Sequence, residues 1–147
     1  MMLDTIDKKI ITLLQQNARI PLKAIAEATF LSSPAISARI SRLEKAGIIT
    51  NYAARVDLLS LGLHIKAFIN VEVSPEQKAT FYPFIESVFN VLECNCITGD
   101  FSMLLKVVFA STMDLDIFIN KLQKFGKTNT QIVFSTPVGP RSIKMEQ

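Results

Sequence analysis

At 147 residues the chain has room for one compact domain or two small ones, and its 49% apolar content exceeds what a lone core needs, which points to a subunit interface. No apolar run reaches the ~18 residues of a membrane span, because Lys66, Glu72, Glu93 and Lys106 interrupt the candidates. Asp4 and Asp7 stand where a secretion signal carries basic and apolar residues, so a cytoplasmic protein is expected. The net charge of +3 lies wholly in residues 1–57, with eight Lys or Arg against five acids, while residues 58–147 balance at eight each. A phosphate-rich partner therefore belongs to the first part of the chain.

Asp4 is placed to cap a first helix running to about Gln16, in which Ile6, Ile10, Leu13 and Leu14 form an apolar stripe. Residues 17–21 end it, and Arg19 there is either a phosphate contact or simply solvated. Leu22 to Ala28 is a short helical segment followed by a tight turn, Thr29-Phe30-Leu31. The stretch Ser32 to Gly47 then has start and stop signals for a recognition helix. Ser32 or Ser33 supplies the N-cap, and Pro34 favours Ser33, since a residue before proline avoids the helical region. Ile36, Ile40 and Leu43 face inward, while Ser37, Ala38, Ser41, Arg42 and Lys45 share the opposite face. Gly47 suits a left-handed C′ position and Lys45 complements the helix dipole. Ile48 to Val56 has strand composition, so a small wing is expected.

Asp57 to Gly62 separates the two halves as a hinge. From Leu63 the chain alternates, with Leu63, Ile65, Ala67, Ile69, Val71 and Val73 on one face and His64, Lys66, Phe68, Asn70 and Glu72 on the other. Ser74-Pro75-Glu76-Gln77 opens a helix that presents Phe81, Phe84, Ile85 and Val88. Two strands, about Val91–Thr98 and Phe101–Ala110, are joined by Gly99-Asp100 as a two-residue hairpin turn. Ser111 caps a helix carrying Leu115, Phe118, Ile119 and Leu122, which Gly126 ends. Thr128 to Thr136 is the last strand, before an irregular tail with Pro137 and Pro140. The order βαββαβ predicts an α+β, ferredoxin-like arrangement. Helices on one side of an antiparallel sheet leave the other side open, and Phe68 on it suggests dimerisation sheet against sheet. Cys94 and Cys96 are read as buried thiols; one histidine cannot complete a zinc site with them, so no metal is called for.

Taken in order, Asp4-x-x-Asp7-x-x-Ile10-Ile11-x-x-Leu14-Gln15, Ala18-Arg19, Ile25-Ala26, Leu31-Ser32, Arg39, Arg42-Leu43-Glu44, Gly47-Ile48-Ile49 with Tyr52, and Gly99-Asp100-Phe101 with Leu104-Leu105 resemble the Lrp/AsnC family of feast/famine transcriptional regulators. The resemblance covers nearly the whole chain. It implies a helix-turn-helix DNA-binding domain at 1–57, a hinge at 58–62 and an effector-binding and oligomerisation domain at 63–147. It implies a homodimer assembling further, often to an octamer, that bends double-stranded DNA and answers to a small effector, usually an amino acid, without a cofactor. The DNA-binding residues would be Ser32, Ser33, Pro34, Ala35, Ser37, Ala38, Arg39, Ser41, Arg42 and Lys45, although Arg39 can instead pair with Glu44 or a neighbouring helix. The effector would sit near Thr98, Gly99, Asp100 and Phe101, with Thr128 and Thr130; Asp100 suits an α-ammonium and the turn N–H groups a carboxylate. Two departures stand out: Ser102 where the family often has a second acid, and a shortened approach to the last strand at 126–130.

Two other readings share these residues. An architectural DNA-binding protein needs no effector. Relatives that decarboxylate a modified tetrapyrrole use several histidines, whereas this chain has only His64 and no Ser/His/Asp or paired-carboxylate constellation near it, so an enzyme is not expected.

Overall fold

Asp4 begins the first helix as its sequence demands: its carboxylate accepts from the Asp7 N–H at 2.7 Å, and Asp7 returns the contact to the Asp4 N–H at 3.3 Å. This closes a capping box at the start of α1, Thr5–Gln16. The computed structural model describes residues 2–145. They fall into two units, one comprising residues up to Arg55 together with those from Val138 onward, the other Val56–Pro137.

In the first unit α1 is followed by α2, Leu22–Thr29, and α3, Ser33–Lys45. Ile10, Ile11, Ile25, Ala26, Ile36 and Leu43 are its core, with Ile40 half-buried at its margin. Each fully buried aliphatic side chain contributes roughly 1.5–3 kcal/mol. Phe30 turns the chain between α2 and α3 with φ +56°, a left-handed conformation unusual for an aromatic residue, and leaves its ring 93% exposed. After α3, Gly47 (φ +70°) donates to the Glu44 carbonyl and Ile48 to the Leu43 carbonyl, a Schellman closure.

Two local expectations change here. Ser32, not Ser33, is the N-cap, its hydroxyl accepting from Ala35 N–H at 3.4 Å. Ser33 and Pro34 occupy the first turn, where neither the missing proline N–H nor its fixed φ costs the helix a bond. The wing strand expected over Ile48–Val56 does not form; among the described residues these positions have no ladder partner, and strand composition alone cannot supply one.

The second unit contains β1 (Ile65–Val71), a 3-10 turn at Pro75–Gln77, α4 (Lys78–Glu86), β2 (Val91–Cys96), β3 (Met103–Phe109), α5 (Thr112–Leu122) and β4 (Thr128–Ile132). The four strands form an antiparallel sheet in the order β2-β3-β1-β4, the ferredoxin-like arrangement expected. Ala67, Ile69 and Val71 of β1 and Met103, Leu105 and Val107 of β3 point to the helix-covered side, where Phe81, Ile85, Leu115, Phe118 and Leu122 complete the core. The other side is less apolar than expected. Phe68, Leu104 and Val108 share it with Asn70, and Lys106 pairs there with Glu93 at 2.9 Å.

Three further expectations are corrected. The β2–β3 connection is a four-residue loop, Thr98–Phe101, because Ile97 N–H bonds the Ser102 carbonyl at 2.9 Å. α5 stops at Leu122, so Gly126 is not its cap; a Cβ there would lie 1.9 Å from the Glu72 carbonyl oxygen, and glycine is needed for that close approach. β4 ends at Ile132 rather than Thr136. No helix among the described residues is long and apolar enough to cross a membrane.

Candidate nucleic-acid interface and effector loop

The recognition helix is held by charge from its inner side. Asp7, 1% exposed, receives Arg39 on Oδ1 and Arg42 on Oδ2, each at 2.7 Å, and Arg39 also reaches the Asp4 carboxylate at 2.7 Å. One guanidinium therefore bridges the cap of α1 to α3. The Asp7 N–H bond and then the Arg39 hydrogen bond hold the Asp4 carboxyl below the usual carboxylate range, and the Asp4 bond pushes Arg39 up in turn. Arg39, expected at a DNA phosphate, is thus held within the protein by a neighbouring helix, the alternative its sequence left open.

What α3 shows to solvent is small and neutral. Pro34, Ser37, Ala38 and Ser41 are exposed along one side, with Lys45 beyond them and Arg42 half-exposed despite its bond to Asp7. Ser32 is exposed at the N-terminus, whereas Ser33 and Ala35 are partly buried. Such a surface fits closely into a groove but offers few bidentate contacts to base edges. Glu44, on the same helix, takes the Tyr52 hydroxyl at 2.9 Å; desolvation and then that bond push the Tyr52 phenol up to about 12.

An open groove of about 990 Å³ lies on the same unit, lined by the end of α1, residues 48–55 and Arg141–Ile143. The tail forms part of it because Arg55 donates to the Pro140 carbonyl, Ser142 Oγ donates to the Gln15 carbonyl at 3.3 Å, and Met145 packs on the core. Nothing in the composition of the tail foretold this; Ile143 and Met145 are too isolated to form a periodic signal. Arg19 is exposed and lines the groove.

In the second unit the expected effector residues fall into two groups. Thr98, Gly99 (φ +109°) and Asp100 are exposed in the loop, with Phe101 partly buried. Thr128 and Thr130 lie on β4, paired with Val71 and Ile69, and β3 and β1 separate them from β2. Three strand spacings amount to about 14 Å. Both groups lie toward one end of the sheet, since Met103 and Thr128 flank the same residue, Val71. Ser102 turns out to be the anchor of the loop: its Oγ accepts from Val73 N–H at 2.8 Å and donates to the Val73 carbonyl at 3.0 Å. A second acid at this place could not make the donated bond.

His64 is exposed and precedes β1, and among the described residues no group of three or more His, Cys, Asp or Glu gathers to hold a metal. Cys94 and Cys96 are exposed, not buried as expected: they share a face, but β2 is the edge strand of the sheet, open along one side.

Comparison with known proteins agrees with this geometry. A model of winged helix-turn-helix DNA-binding domains matches residues 3–50, and one of the Lrp/AsnC ligand binding domain matches residues 66–143. The HTH-type transcriptional regulator LrpA of Bacillus subtilis is 35% identical over 133 residues, covering 90% of this chain and 98% of that protein. The structure of B. subtilis LrpC superposes with a TM-score of 0.90 at 30% identity, over 95% of this chain and all of that one. A transcriptional regulator from Neisseria meningitidis, solved in complex with L-methionine, gives a TM-score of 0.90 at 27% identity over 97% and 96% of the two chains.

Proposed function

The chain belongs to the Lrp/AsnC family of HTH-type transcriptional regulators, and from that premise we propose how its residues carry out regulation. The exposed side of α3 enters the major groove, with Ser37, Ala38 and Ser41 against the base edges, Ser32 to Ala35 at the helix start, and Arg42 and Lys45 toward phosphates. Arg39 positions the helix. The observation that carries this reading is the pairing of Asp7 with Arg39 and Arg42, which fixes α3 from behind and leaves its small-residue face free. With so few long side chains at the bases, specificity comes largely from DNA bending and from several dimers binding in phase.

Residues 1–57 carry DNA binding, 58–62 the hinge, and the region from 63 effector binding and assembly. The effector is an amino acid, held by Asp100 through its ammonium group and by the N–H groups of the Thr98–Phe101 loop through its carboxylate. Thr128 and Thr130 stand too far across the sheet to close the same single-chain pocket, so a second copy completes the site. The active form is then a homodimer assembled further, octamers included, working in the cytoplasm on double-stranded DNA without catalysing a reaction. The L-methionine complex of the N. meningitidis relative supports the ligand class.

The test is solution mass by light scattering with each of the twenty amino acids, alongside binding to duplexes of graded A/T content. One amino acid is expected to change the mass of the wild type and leave Asp100→Ala unmoved. A mass that responds to none would make the protein an effector-independent architectural DNA binder. A single sharp half-site, insensitive to flanking A/T content, would overturn the bending account.

A further inference from the structure

The edge strand β2 carries chemistry that the regulatory reading does not use. Cys94 and Cys96 lie opposite Leu105 and Met103 of β3, so both thiols are on the helix-bearing side of the sheet, yet both are exposed. Met103, directly across from Cys96, is fully buried beneath this margin and brings a thioether to the same face. Three sulfur-bearing residues thus occupy adjoining register positions on one face at a corner of the sheet, and we propose that Cys94, Cys96 and Met103 form a binding site for a soft monovalent cation, Cu(I).

Geometry favours a metal over a disulfide. Residues two apart on a strand are about 6.6 Å apart between Cα atoms, near the upper limit for a disulfide, whose S–S bond of about 2.05 Å must close the gap. A bridge of two metal–thiolate bonds, each about 2.3 Å as in zinc sites, spans roughly twice that distance. Donor number and type favour Cu(I), since a thioether beside two thiolates suits that soft ion, whereas a structural zinc site takes a fourth ligand beyond these three. His64 precedes β1 at the opposite end from Met103 and is no candidate fourth ligand.

The surroundings suit capture rather than covalent reactivity. The cation of β3 next in line, Lys106, lies on the other side of the sheet in its pair with Glu93, turned away from both thiols. Binding replaces two S–H bonds with two Cu–S bonds and releases both protons to solvent, with no change in oxidation state.

The reduced full-length protein is titrated anaerobically with Cu(I) against a chromophoric chelator, and the thiolate-to-copper absorption is followed. One Cu(I) per chain is expected to be retained. Cys94→Ser and Cys96→Ser should each weaken retention by at least the ~10–100-fold that loss of a supporting partner costs a metal site. Met103→Leu, which conserves volume in the core, should weaken it less, and unchanged thermal melts of the serine variants separate lost ligation from lost folding. Retention by the Cys94→Ser/Cys96→Ser double variant, complete loss of Cu(I) from the wild type to the chelator, or equal competition by Zn(II) would overturn the assignment. Amino-acid response and DNA binding play no part in the readout.

Discussion

Asp7 and Arg39 are 32 residues apart in sequence and 2.7 Å apart in the folded chain. Since Asp7 is also the partner of Arg42 and the third residue of the capping box of α1, one carboxylate fixes both the start of the first helix and the rotation of the third. Asp7→Ala should therefore cost about 2–3 kcal/mol, the value of hydrogen bonds to charged groups discounted for the partial exposure of both arginines. Differential scanning calorimetry should show a lower Tm, and DNA affinity should fall at temperatures where the fold persists.

Arg39 and Lys45 separate structure from phosphate contact. Lys45→Ala should leave the Tm unchanged and lower the slope of log affinity against log salt by about 0.9, the share of one phosphate. Arg39→Ala should lower the Tm and change the salt slope far less. Fluorescence anisotropy across a salt series distinguishes the two, and equal slopes would remove Lys45 from the interface.

The pH dependence has two opposite signs. The Asp4 carboxyl is held below its ordinary 3.8, so its contribution is complete above pH 3.8 and is lost as pH falls through the lower folded value. Tyr52 is pushed up from 10 to about 12, so its contribution is complete below pH 10 and is lost as pH rises toward 12. Ultraviolet difference absorbance should show a late phenol ionisation that Tyr52→Phe abolishes.

Phe30 holds a left-handed backbone with its ring in solvent. Phe30→Gly should stabilise the helix-turn-helix by up to about 1 kcal/mol, relief of the left-handed cost of a side chain being partly offset by a more flexible unfolded chain. Gly126→Ala should do the reverse: its Cβ meets the Glu72 carbonyl and disturbs the Glu72 N–H bond to Lys127, at 2.9 Å, beside β4. A loss of about 3 kcal/mol, at the upper end of ordinary overpacking costs, is expected in urea unfolding.

Periodicity and caps made the helices legible. Asp4, Ser111 and the stripes containing Ile10, Leu43 and Phe118 are local signals, and each helix they mark is present. The faces of β1 followed from its alternation, and the order of the sheet from the element sequence. What escaped depended on distant neighbours. Arg39 could be read as a phosphate ligand until α1 was seen to supply two carboxylates beside it, and the thiols of β2 seemed buried because alternation reports a face without saying whether a helix covers it. The strand signal of Ile48–Val56 failed for the same reason: a ladder needs a second strand, and composition describes only one. Ser102 looked like a missing acid because its value lies in bonds to Val73, 29 residues earlier.

The contacts of Pro140, Ser142 and Met145 with the first unit also order events in time. Arg55 meets Pro140 85 positions later in the chain. At roughly 5–20 residues per second, synthesis takes about 4–17 seconds to cross that interval. The three helices therefore leave the ribosome with the groove beside Gln15 lacking its last wall, and a nascent DNA-binding unit reaches its finished form only after the sheet that follows it has been made.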